Sequence, residues 1–126
     1  MLTMPNTDPV IDTPAVVEYI RLKSQEEASV RVCVAASVTR GGAGEMLSDA
    51  AALKEAGASA LSDDPFTVMD AEVMRRGMEY ARTCDLPITT HCEEKHMVVD
   101  GVMHEGEVST RLGVRGLPAV AEDIIT

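Results

Sequence analysis

Apolar runs of strand length recur along this chain near residues 2, 29, 58 and 86, a period of about 28, and each is followed by a stretch with the marks of a helix. A strand, a helix and two short loops take about 30 residues when some 250 residues build eight such units. The period therefore narrows the fold to repeated βα units on a parallel sheet. Either a (β/α)8 barrel or a doubly wound sheet would satisfy it, since both are built from the same units. The runs are "MLTMPNT", "SVRVCVAAS" (29–37), "ASALSDD" (58–64) and "LPITTHC" (86–92). They are partly continuous rather than strictly alternating, as strands covered on both faces are. Pro5 and Pro87 bound the first and the last.

The intervening segments carry helix signals. Thr13 suits an N-cap and Pro14 the first helical position, and Val16, Val17 and Ile20 then form an apolar stripe. Met46, Leu47, Ala50 and Leu53 continue the pattern in the next unit, with Gly57 as its stop. Asp70 is placed to cap a helix with Val73, Met74, Met78 and Ala81 on one side, and Pro118 to start another through Val120, Ile124 and Ile125. The first strand begins at residue 1 or 2 without a lead-in, and the last helix reaches Thr126 without a cap. Four parallel βα units would also leave two open sheet edges. The expectation is a single partial domain over 1–126, truncated at both ends.

Composition bounds the partners. The net charge of −10 argues against nucleic acid, which is bound by cations on phosphates, and against anionic membrane surfaces. No apolar run approaches the roughly 18 residues of a membrane span, and no secretory leader is visible. Three cysteines without CxxC spacing fit a reducing, cytoplasmic setting better than a disulfide framework. Aromatic residues are only 2% of the chain, so the core must come from Val, Leu, Ile, Ala and the eight Met.

Polar residues gather where the strands end: Asn6 after the first, Asp63 and Asp64 after the third, His91 and Glu93 after the fourth. In barrels and open sheets alike, ligands bind at that end. His91 alone would read first as a hydrogen-bonded core histidine. With Asp64 one unit earlier, the two could share a divalent metal such as Zn²⁺. Two donors fall short of the three that a catalytic zinc takes from protein. Cys92 is adjacent to His91, so the pair would face opposite sides of a strand and cannot act as nucleophile and base; it reads as a small packing residue. Glu93 is either a carboxylate orienting His91 or a solvated acid. Glu94, His96 and His104 read as loop residues, with no HExxH spacing present. Asn6 is either a turn residue or an amide for a substrate carboxylate or amide. "RGGAGE" (40–45) lacks the Lys of a phosphate loop and reads as a flexible βα connection.

Taken in order, "MPNT", "SDD", "HCE" and "EGEVS", with the helical stretches between them, resemble the middle of class I dihydroorotase, within the amidohydrolase superfamily of metal-dependent (β/α)8 barrels. The resemblance covers nearly the whole chain, as strands two to five of eight. It implies an α/β fold of about four βα units from a TIM barrel. It further implies Asn6 as a ligand of the substrate carboxylate, Asp64 and His91 as metal ligands, and one or two Zn²⁺ ions. The reaction implied is the reversible hydrolysis of dihydroorotate to N-carbamoyl-L-aspartate in pyrimidine biosynthesis, in a cytoplasmic homo-oligomer or an assembly with aspartate transcarbamoylase. The family's HxHxR motif, its later metal-binding His and its Asp acting as general acid/base have no counterpart among these residues. No catalytic residue is therefore assigned within this chain, and the piece is expected to be inactive alone. Pro65 stands where the family usually has Gly, and restricts Asp64 toward extended backbone; His104 stands where Asn is frequent. Two other expectations compete: an allantoinase- or hydantoinase-like cyclic amidase, which would carry a carboxylated Lys in place of Asp64, and a non-catalytic scaffold for aspartate transcarbamoylase.

Overall fold

Pro14 opens the first helix, α1 (Pro14–Glu27), in a computed structural model that describes all residues from 1 to 126. Val17 is fully buried on it, and Val16 and Ile20 pack against the same core. Thr13 occupies the N-cap in extended backbone, but its hydroxyl makes no capping bond. The chain divides into two compact units, 1–91 and 92–126.

In the first unit, β1 (Val34–Ser37), β2 (Ala58–Ser62) and β3 (Ile88–Thr89) form a parallel sheet in sequential order. Leu2 adds a single parallel bridge to Cys33 on the outer side of β1. All four residues of β1 are buried, as expected of a strand covered on both faces. The ladder runs Val34 to Ala58, then Ala35 to Ala60, so Ser59 is an extra residue and is the one exposed position of β2. The strands are shorter than the apolar runs that announce them. Residues 29–31 are exposed and unpaired with β2, whose first residue, Ala58, meets the chain only at Val34.

The helix expected from Met46 starts later, as α2 (Ala50–Ala56). Asp49 caps it by accepting from the Ala52 N–H at 3.1 Å, while Leu47 forms an antiparallel bridge to Thr39 and Met46 is exposed. Gly57 ends α2 with φ +105°, a left-handed conformation that costs a side chain dear and glycine nothing. Asp70 caps α3 (Ala71–Thr83) through Oδ1, which accepts from the N–H groups of Glu72 and Val73. On α3, Ala81 and Gly77 are buried and Met78 is exposed, against the expectation for Met78. A Cβ at Gly77 would stand 2.9 Å from Val38 Cγ1, so glycine lets the helix come this close to the end of β1. "RGGAGE" is a short turn rather than a slack connection: the Gly41 N–H donates to Asp12 Oδ2 at 2.7 Å.

The second unit carries a two-residue parallel pair, β4 (Met103–His104) with β5 (Gly116–Leu117). Between them runs α4 (Glu107–Leu112), and after them a single turn, α5 (Val120–Asp123). His104 therefore lies on a strand, exposed, and not in a loop. α5 is far shorter than the helix expected after Pro118. No helix in the chain is long and apolar enough to cross a membrane.

Candidate functional site

Two strand ends and the segment after one isolated bridge deliver the polar residues singled out by the sequence. Asn6 follows the bridge at Leu2, Asp63 and Asp64 follow β2 directly, and His91 comes two residues after β3. Asn6 and Asp64 line one cavity of about 200 Å³, together with Pro5, Ser37, Asp63 and Phe66. His91 stands beside it, with Nδ1 3.5 Å from Asp64 Oδ2. The two side chains are 37% and 33% exposed, enough to be reached by an ion from solvent. A larger hollow of about 430 Å³ lies at the start of β3, between Met78, Ala81 and Ile88. It is at the opposite end of that strand from His91, so its size does not make it the site.

At 3.5 Å, the Asp64–His91 contact is long for a hydrogen bond, which is strongest at about 2.7–3.2 Å. It matches another geometry. Two ligands at about 2.0–2.1 Å from one tetrahedral zinc lie about 3.3–3.4 Å from each other. A carboxylate oxygen and an imidazole nitrogen are also donors zinc accepts. The pair thus fits two positions of a shared coordination sphere. No group of three or more His, Cys, Asp or Glu side chains converges in a way that could hold an ion by itself.

Asp63 does something different from its neighbour. It is only 6% exposed, and its two oxygens are spent on backbone: Oδ1 accepts from the His91 N–H at 2.8 Å, and Oδ2 from the Val68 N–H at 3.1 Å. The Thr67 hydroxyl, 1% exposed, donates to the His91 carbonyl. Ser62 Oγ accepts from the Asp64 N–H at 3.2 Å. Nothing in the sequence pattern marks Thr67, and Asp63 is marked only as a second strand-end carboxylate. A buried acid must be satisfied by several donors, but the burial of Asp63 shows only in the fold, so no sequence signal pointed to this pair.

Cys92 and Glu93 are both partly exposed and begin the second unit. Cys92 is thus less enclosed than a packing residue need be. Farther on, His96 is well exposed, with Nδ1 2.7 Å from Glu94 Oε1. That ring contact, reinforced by the Met97 N–H, holds the Glu94 carboxyl below its usual range. The pair caps a surface turn and joins no further ligand.

Known proteins give this arrangement a context. The sequence model of the family described as "Dihydro-orotase-like" matches residues 1–125. A protein named dihydroorotase from Solibacter usitatus is 49% identical over 122 residues, 97% of this chain and 28% of that protein. Dihydroorotases from Citrifermentans bemidjiense and Caldanaerobacter subterraneus are 48% and 44% identical over 96% and 97% of the chain, again 28% of each. The chain thus spans a little over a quarter of the length of these relatives. With the match unbroken across both compact units, the chain belongs to the dihydro-orotase-like family.

Proposed function

We propose that this chain supplies part of the metal and substrate site of a dihydroorotase, a cytoplasmic hydrolase interconverting dihydroorotate and N-carbamoyl-L-aspartate in pyrimidine biosynthesis. The observation that carries the reading is the approach of Asp64 Oδ2 to His91 Nδ1, at the spacing of two ligands of one ion. Membership of the family and the shared name of its relatives support it. The sequential parallel order of β1, β2 and β3 supports a segment of a (β/α)8 barrel, with residues 1–126 as part of a single barrel domain.

In this reading Asp64 and His91 hold one or two Zn²⁺ ions together with donors from elsewhere in a full-length parent. Zinc supplies Lewis acidity toward the ring carbonyl and a water acidic enough to attack near neutral pH. Asn6, across the same cavity, binds the substrate carboxylate through its amide. Holding that carboxylate fixes the ring relative to the donor pair, which favours the reacting geometry. The general acid/base lies outside these residues, so this chain binds and orients rather than catalyses alone. The family reading also brings a homo-oligomer and association with aspartate transcarbamoylase.

The test uses the full-length parent. Asp64→Ala and His91→Ala should each strip zinc and abolish dihydroorotate hydrolysis, read by metal analysis and by a coupled turnover assay. Full metal content and full rate in both variants would refute the assignment.

A further inference from the structure

We infer that the loop after β2 is a two-point clamp on the backbone of His91, with Asp63 and Thr67 as positioning residues for the Asp64–His91 pair. The inference rests on reading Asp64 and His91 as metal donors. Its starting point is the shortness of β3. The β2–β3 ladder pairs Leu61 with Ile88 and Ser62 with Thr89, and ends there. His91 lies two residues beyond, where the sheet no longer dictates its place.

What holds it is the segment that carries Asp64. Asp63 Oδ1 takes the His91 N–H at 2.8 Å, and the Thr67 hydroxyl gives its proton to the His91 carbonyl. Both polar atoms of one residue's backbone are therefore gripped by side chains four residues apart in one loop. The grip is itself anchored. Asp63 Oδ2 accepts from Val68 N–H, closing the loop on itself, and Ser62 Oγ accepts from Asp64 N–H. Asp63 and Thr67 are 6% and 1% exposed, so water does not compete for these bonds. Asp64 sits inside the same closed loop, so its position and that of His91 are set by one hydrogen-bonded segment. Folding, and not the arriving ion, brings the two donors together. The two acids of "SDD" thus divide labour: Asp64 is one donor, and Asp63 fixes the backbone of the other, His91.

The test again uses the full-length parent, stripped of zinc and titrated back against a chelator of known affinity. Thr67→Val keeps the shape and removes the donor to His91. Thr67→Ser keeps the hydroxyl. Asp63→Asn keeps the shape and replaces one acceptor oxygen with a donor. Thr67→Val and Asp63→Asn should weaken zinc binding by about ten- to a hundred-fold, the usual loss when a residue orienting a ligand is removed, with Thr67→Ser close to the parent. Thr67→Val should also melt below Thr67→Ser without zinc, because it leaves the His91 carbonyl without its buried donor; a loss of zinc affinity that persists under conditions where both variants are fully folded sets a positioning role apart from a merely structural one. If Asp63→Asn fails to fold, the Thr67 pair decides. Parental zinc affinity in Thr67→Val, or equal losses in Val and Ser, overturns the clamp. His91→Ala is measured alongside. If it keeps parental affinity, the donor assignment falls and takes the clamp with it; if it loses zinc while Thr67→Val and Asp63→Asn keep it, the clamp alone falls.

Discussion

The stretches 1–91 and 92–126 draw on the same kinds of residue and bury them very differently. The core cluster, from Ile11 and Val17 through Leu53 to Leu86, belongs entirely to the first. In the second, only Ser109 and Ala121 are buried, while Val102, Leu112 and Ile124 are largely exposed. The helices differ accordingly. α1 and α3 run 14 and 13 residues and are fixed by an apolar face on the sheet. α4 and α5 have six and four residues, too few to be stable on propensity alone. α4 is held at its ends instead: Ser109 Oγ accepts from the Gly106 N–H and donates to the Gly106 carbonyl, and Gly113 closes the other end at φ +68°. One stretch is organised by burial, the other by local hydrogen bonding.

The sharpest way to break that contrast is a matched pair of truncations in this chain. Leu53→Ala, at a fully buried site, should cost about 2–5 kcal/mol through lost burial and the cavity left behind. Leu112→Ala, at a site 62% exposed, should stay within about 0.5 kcal/mol. Urea unfolding measures both, and equal losses would mean that burial does not separate the two stretches. A second pair compares caps within the first stretch. Asp70→Ala removes a carboxylate bonded to two helix N–H groups and should cost about 1 kcal/mol. Thr13→Ala, whose hydroxyl caps nothing, should leave the same unfolding curve nearly unmoved.

The smallest effect is electrostatic. Bonding to the Arg75 guanidinium, assisted by Arg76, holds the Glu72 carboxyl down at about 2, against an ordinary 4.5. Because the folded value lies below the unfolded one, the contribution is present above the ordinary range and fades as pH falls from about 4.5 toward 2. The residues are exposed, so the effect is slight and should vanish in about 1 M salt. Glu72→Gln should flatten that part of a midpoint-versus-pH curve; an unchanged slope would show that the ion pair is idle.

What the sequence reveals follows the same division. The four-fold recurrence located β1, β2, β3 and the bridge at Leu2; apolar side chains are forced inward on β1 and most of β2, while Leu2 is exposed and β3 only partly covered. Pro14, Asp70 and Gly57 were legible because each is suited to one backbone situation. Asn6, Asp64 and His91 were legible as a group because each polar residue follows an apolar run, and successive parallel runs bring their C-terminal ends to the same side. Other features escaped for physical reasons. Helix periodicity runs through Met46 and Leu47 as readily as through Ala50, and only the Asp49 cap and the Thr39 bridge stop it. β4, α4 and β5 are too short for a periodicity to register. Asp63 and Thr67 act by reaching backbone 28 and 24 residues away, a partnership no local pattern records.

The extra residue in β2 sets which side chains emerge after it. Ser59 shifts the ladder by one position, and beyond it Ser62, Asp63 and Asp64 do different things: Ser62 takes the Asp64 N–H, Asp63 takes the backbone N–H groups of His91 and Val68, and Asp64 faces the His91 ring. Removing one residue between Ser59 and Ser62 would hand every one of those three tasks to the wrong side chain, because a slip of one reverses the faces of a strand. The chemistry here would survive many substitutions around it, but not a change in count. For this strand, length is as much an inherited instruction as composition.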